Sequence, residues 1–99
     1  MIRHTVAFRL KHPAGSELEK KFLSDGKRIL AAIPGVQKFE ALQQVSAKND
    51  FTHGYSMEFS SQAEYQNYND YPDHTAFVRD RWIPEVADFM EIDYVILPD

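Results

Sequence analysis

An α+β fold with the element order β-α-β-β-α-β is predicted by three features of the sequence. Apolar residues alternate with period two near both ends and in the middle of the chain. Stripes of helical period lie between those stretches, and a capping box stands ahead of each stripe. The 99 residues are the length of one domain, so residues 1–99 are expected to share a single core.

Residues 2 to 10 set Ile2, His4, Val6, Phe8 and Leu10 against Arg3, Thr5, Ala7 and Arg9, a strand with one strongly apolar face. Pro13-Ala14-Gly15 ends it. Ser16 with Glu19 three residues later satisfies the first free amides of a helix. Leu18, Phe22, Ile29, Leu30 and Ile33 carry that helix to about Ile33, where Pro34-Gly35 stops it. Val36 to Val45 reads as a second strand. The connection Ser46-Ala47-Lys48-Asn49-Asp50 is too long for a two-residue hairpin turn. From Thr52 to Ser60, His53, Tyr55, Met57 and Phe59 face one way and Gly54, Ser56, Glu58 and Ser60 the other. Ser61 with Glu64 opens a helix bearing Tyr65 and Tyr68, which Pro72 interrupts. Asp73 is expected to cap a further segment in which His74, Phe77, Val78 and Arg81 share a face, and Pro84 to kink or divide it. Phe89 to Leu97 reads as the last strand.

This order is the split βαβ pattern of ferredoxin-like folds, a four-stranded antiparallel sheet with helices on one face. On the other face Thr5, Ala7, Gly54 and Ser56 mix with Ile92, Tyr94 and Ile96, more apolar than water favours. A second copy packed sheet to sheet would cover it, so a homodimer is expected.

Composition narrows the function. Eleven Lys and Arg against 15 Asp and Glu give a formal charge of −4, with no global basic field for nucleic acid or anionic lipid. The charges spread through Met1 to Lys11 break any signal-peptide core, and no window nears the roughly eighteen apolar residues of a membrane span. A cytoplasmic protein without nucleic-acid or membrane partners is the expectation. With no cysteine, disulfides, thiolate nucleophiles and Cys-based zinc sites are absent. The four glycines are isolated, so no phosphate-cradling loop exists, and no Gly-x-Ser-x-Gly elbow marks a serine nucleophile. Aromatic residues reach 13%, which predicts a large apolar interior or a cavity.

His4, His53 and His74 fall at inward positions, whereas His12 sits in the first loop and reads as solvated. A histidine on an apolar face is commonly a hydrogen-bonded core residue. Three on converging elements, with the Tyr68 phenol, also fit one small-molecule pocket between sheet and helices, with Phe8, Tyr55, Phe59 and Phe77 expected on its apolar wall. Tyr68 is either a packing aromatic or a donor to a carbonyl or enolate oxygen. At the start of a helix His74 would be kept neutral by the helix dipole, against the opposing charge of Asp73. Three imidazoles can hold zinc, but these are far apart in sequence, so no metal and no cofactor are assigned. Glu85, Asp88, Glu91 and Asp93 read as a solvated face.

The chain resembles the stress-responsive dimeric A/B barrel (Dabb) family along nearly its full length. The resemblance lies in Met1-Ile2-Arg3-His4-Thr5-Val6-Ala7-Phe8-Arg9-Leu10, Ile33-Pro34-Gly35-Val36, Phe51-Thr52-His53-Gly54-Tyr55, Tyr71-Pro72-Asp73-His74-Thr75-Ala76-Phe77-Val78 and Ile92-Asp93-Tyr94. It implies a ferredoxin-like protomer whose sheet packs on its twin to form a dimeric barrel. The family includes plant olivetolic acid cyclase, which closes a linear polyketide by intramolecular aldol condensation without a redox cofactor. Its catalytic tyrosine and histidine look like Tyr68 and His74, and its two further pocket histidines like His4 and His53. Tyr71 departs from the motif, which often has histidine before the proline. Some members hold a cation on backbone carbonyls that match Leu30, Ile33 and Val36.

The resulting expectation is a homodimeric barrel that binds a small apolar, aromatic or polyketide-like ligand in an internal pocket with cofactor-free acid/base activity. A cyclase performing an aldol condensation and a purely structural dimer are the alternatives. A cavity around His4, His53, Tyr68 and His74 separates the ligand readings from the structural one.

Overall fold

A computed structural model describes residues 1–98. Strands β1 (Ile2–Leu10), β2 (Gln37–Gln43), β3 (His53–Phe59) and β4 (Val86–Tyr94) form one antiparallel sheet in the order β2-β3-β1-β4. Helices α1 (Glu17–Ala31), α2 (Gln62–Asp70) and α3 (Pro72–Phe77) lie on the sheet face that carries the core. That topology is ferredoxin-like.

Both serines cap their helices as expected. The Glu19 amide donates to Ser16 Oγ and the Glu64 amide to Ser61 Oγ, each at 3.2 Å. After α1 the chain reverses at Pro34-Gly35, where the Val36 amide donates to the Ile33 carbonyl at 3.2 Å. Gly35 takes a φ of 90°, a left-handed conformation that a side chain would strain. β2 is shorter than the Val36–Val45 stretch and is bulged between Gln37 and Glu40, with Lys38 at a φ of 50°.

Three boundaries differ from expectation for identifiable reasons. Tyr71, not Asp73, is the N-cap of α3, because Pro72 fills the first helical position, where no amide partner is needed. Pro84 does not divide the segment. The helix widens into a π-turn over Val78–Trp82, with the Ile83 amide bonded to the Val78 carbonyl, and continues as the short α4 (Ile83–Glu85). β4 begins at Val86 rather than Phe89, since the Glu85 carbonyl already accepts from the Lys11 amide at 2.8 Å. It ends at Tyr94, opposite Arg3, near the start of its only partner strand, so Val95 to Leu97 leave the sheet.

The core is aromatic. Phe8, Phe22 and Phe59 are fully buried, and Phe8 packs on Phe22, Tyr55 and Trp82 with ring centroids 4.9 to 6.0 Å apart. Among the described residues no helix is long and apolar enough to cross a membrane.

Candidate functional site

Between sheet and helices the aromatic packing leaves a cavity of about 210 Å³. Its floor is His4 and Val6 of β1, Tyr55 and Met57 of β3, and Phe89 and Glu91 of β4; its roof is Leu30 of α1, Tyr68 of α2, His74 and Phe77 of α3, and Val78 and Trp82 of the π-turn. A dry cavity of about 150 Å³ holds benzene, so a single substituted ring fits.

His4 is 5% exposed, and its orientation is fixed by a triangle of groups. The His4 Nδ1–H donates to Asp93 Oδ1 at 2.6 Å, the Tyr65 hydroxyl donates to Asp93 Oδ2 at 2.8 Å, and Tyr65 Oη lies 2.9 Å from His4 Nδ1. In the neutral ring that leaves His4 Nε2 as a lone-pair acceptor. His74 is set the same way: its Nδ1–H donates to the Asn69 carbonyl at 3.1 Å, and Nε2 keeps the lone pair. Tyr68 packs on both imidazoles, with ring centroids 4.5 Å from His74 and 6.1 Å from His4.

Tyr68 is 2% exposed, and its hydroxyl has no hydrogen-bond partner among the described residues, nor has His4 Nε2. Yet among the described residues no side-chain polar atom is sealed off without a partner. Both atoms therefore open into the cavity.

Burial keeps His74 and Tyr68 neutral. Burial holds the His74 imidazole below its ordinary value and outweighs the Asn69 hydrogen bond that pulls the other way; His4 lowers it further. Burial thus favours the free base. Burial also pushes the Tyr68 phenol well above its usual range, with Tyr65 and Glu91 adding to the effect. A neutral imidazole lone pair and a protonated phenol beside it can accept one proton and donate another.

The expected pocket residues divide in two. His4, Tyr55, Tyr68, His74 and Phe77 line the cavity. His53, Phe8 and Phe59 do not. His53 pairs with Phe8, and Phe59 with Ile2, at the two ends of the β1–β3 register, whereas the cavity lies over the central pairs His4 with Met57 and Val6 with Tyr55. One inward step along a strand is roughly 7 Å, enough to leave a hollow of this size. His53 stacks on Phe8 and bonds Thr52 Oγ1 at 2.9 Å; Phe59 stacks on Tyr65.

Two readings of charge also change. Asp93, although partly exposed, holds His4. His12 and Glu85, each 18% exposed at the side chain, bond to one another at 2.7 Å. Glu85 also takes Arg81 Nε at 2.5 Å, and Arg81 reaches Asp25 at 2.8 Å. Burial alone would raise Glu85, but the Arg81 and His12 hydrogen bonds outweigh it and the carboxyl is lowered.

Trp82, Val78, Met57 and Glu91 were not assigned to the pocket from the sequence. Val78 and Trp82 stand four and eight residues after His74, on one helical face. Glu91 lies two residues from Phe89 and from Asp93 on the inward side of β4. These spacings were the available signal.

Among the described residues no three His, Cys, Asp or Glu side chains group as metal ligands. At the end of α1 the Leu30 and Ile33 carbonyls accept from the Ile33 and Val36 amides.

The stress-responsive A/B barrel domain matches residues 2–96. A Dabb protein of ferredoxin-like fold from Mesorhizobium loti is 62% identical, with 98% of this chain and 97% of that one aligned at a TM-score of 0.97. At 19% identity a hydroxynitrile lyase from Passiflora edulis superposes with a TM-score of 0.84 over 99% of this chain and 94% of the lyase. A dimeric ferredoxin-like protein from Thermobifida fusca, 20% identical, gives 0.79 over 96% and 90%. These last two likenesses are of fold alone. No functionally curated protein matches the chain.

Proposed function

Because the chain belongs to the stress-responsive A/B barrel domain family, we propose that it is a homodimer that binds a small apolar or aromatic, polyketide-like ligand in the cavity of each subunit and is equipped there for cofactor-free proton transfer. The observation that carries the reading is that Tyr68 Oη and His4 Nε2, on two buried residues and without a protein partner, open with His74 into an apolar hollow. Burying polar atoms without partners is costly, and a ligand's carbonyl or hydroxyl would satisfy them.

The acid/base step follows from the same groups. His74 Nε2 would take a proton α to a bound ketone, becoming imidazolium, while the Tyr68 hydroxyl donates a hydrogen bond to the forming enolate oxygen. If the enolate carbon attacks a second carbonyl of the same molecule, the new alkoxide recovers the proton from His74. The sum is an intramolecular aldol closure without oxidant or reductant. A positioned base contributes roughly a hundred- to ten-thousand-fold, and holding the two carbons together supplies the rest.

Dimerisation is supported by the outer sheet face, where Leu42, Met90, Ile92 and Tyr94 stand 40% to 52% exposed. A second sheet would bury them. Sedimentation velocity is expected to give twice the chain mass, and Ile92→Glu half of that; a monomeric wild-type protein overturns this part.

Native mass spectrometry of protein purified from its host is expected to show a retained small molecule. The proton-transfer step is tested with phenylacetone in heavy water, with exchange of its α-hydrogens followed by NMR. Exchange should be accelerated by the wild type and abolished in His74→Ala, with the dimer intact. Equal exchange by the two proteins refutes His74 as the base.

A further inference from the structure

Among the described residues Glu91 is the one carboxylate on the cavity lining. It belongs to β4, the edge strand, and is exposed, as is Phe89 beside it. The other lining residues are buried or half-buried. The cavity therefore opens past β4, and Glu91 stands at its mouth. The neighbouring inward carboxylate, Asp93, is committed to His4 and Tyr65. Glu91 has no ion-pair or hydrogen-bond partner among the described residues, and no Lys or Arg lines the cavity.

The polar groups inside are also of one kind. His4 and His74 each spend their N–H on a protein acceptor and turn a lone pair toward the hollow. Tyr68 offers the one hydroxyl that can donate. The site is rich in acceptors, carries negative charge at its mouth and has no counter-cation for an anion.

We infer that the cavity takes neutral single-ring compounds bearing hydroxyl groups, phenols or their enol forms, and discriminates against carboxylates, with Glu91 as the specificity-determining residue. This rests on the cavity being the ligand site. A hydroxyl satisfies a lone pair on His4 or His74, whereas a carboxylate can accept only from Tyr68 and lies in the field of Glu91. Removing a donor that a polar site is built to receive leaves buried acceptors unpaired, which is how such sites reject analogues.

The test uses two probes that share a ring and a phenol, 3-hydroxybenzyl alcohol and 3-hydroxybenzoate. Binding is read from Trp82, the chain's single tryptophan, which lines the cavity. The wild type is expected to bind the alcohol more tightly, by about fivefold or more at low salt, and the preference should shrink in molar salt as the charge is screened. Glu91→Gln should narrow it to within about twofold, chiefly by tightening 3-hydroxybenzoate, with the thermal midpoint unchanged. An equal preference in wild type and Glu91→Gln, or a wild type that prefers the carboxylate, overturns the inference while the ligand site stands. If neither probe alters Trp82 emission in the wild type, the ligand-site reading falls and takes this inference with it.

Discussion

His4 and Asp93 are directly opposite one another on β1 and β4, and the His4 Nδ1 lies 2.6 Å from Asp93 Oδ1. The pair ties the cavity's most buried imidazole to the sheet edge, with the Tyr65 hydroxyl as the third member. Asp93 is 39% exposed at its side chain, so solvent weakens the bond's electrostatic part. Asp93→Ala is expected to cost about 1–2 kcal/mol in urea unfolding. Asp93→Asn, which keeps an acceptor for the imidazole N–H, should cost less. Equal losses in the two variants would show that the contact is steric rather than hydrogen-bonded.

The His74 imidazole should titrate below the ordinary 6.5 of a free histidine, because burial disfavours its charged form. The unfolded chain then binds the proton first on acidification. The stability contributed by neutral His74 is complete above about pH 6.5 and declines as the pH falls from there toward the folded-state value. A ring-proton NMR titration checks this directly. A midpoint at or above 6.5 would contradict it.

Asp25 is held well below the usual carboxylate range, chiefly by the hydrogen bond from Arg81, then by that from Lys21, with Arg28 adding to both against the cost of burial. A carboxyl lowered in the fold stabilises it above its unfolded value of 3.8 and loses that contribution as the pH falls below it. Asp25→Asn is expected to lose about 2 kcal/mol near neutral pH. The gap between variant and wild type should close on acidification below 3.8. Urea unfolding across that range measures the closure, and a gap independent of pH would exclude the charge as its source.

Gly26 lies in the middle of α1, where alanine would ordinarily gain about 1 kcal/mol. Here a Cβ would meet Tyr55 Oη at 2.3 Å and the ring carbons at 3.0 and 3.1 Å. That phenol donates to the Leu23 carbonyl at 3.1 Å and has no room to retreat. Gly26→Ala should therefore destabilise the protein by about 1–2 kcal/mol overall. Adding Tyr55→Phe should recover part of the loss, since the closest atom is then gone. A thermal melt of the four-protein cycle would reveal any failure of that coupling.

The sequence was most informative where a local rule decides structure. Ser16 with Glu19 and Ser61 with Glu64 announce helix starts because the side-chain oxygen and the amide it caps are three residues apart. It was least informative at Pro72 and Pro84. Each is compatible with a break and with a continued helix: at Pro72 the chain breaks, with Tyr71 extended between α2 and α3, whereas at Pro84 it continues from the Val78–Trp82 turn into α4. For the site, alternation put His4 and His53 on the same inner face, and both are there. Alternation cannot say how far along a strand a hollow extends, and His53 lies one step beyond it.

From its order of residues alone the chain determined the strand and helix order and the inward side of each element, because periods of two and 3.6 are written residue by residue. The tertiary structure alone decided which inward groups meet. That Asp93 holds His4 across a separation of 89 residues, that burial neutralises His74 and that Glu91 stands at the mouth depend on register, twist and the space left between bulky rings. Those are properties of packing between elements, which no local pattern encodes.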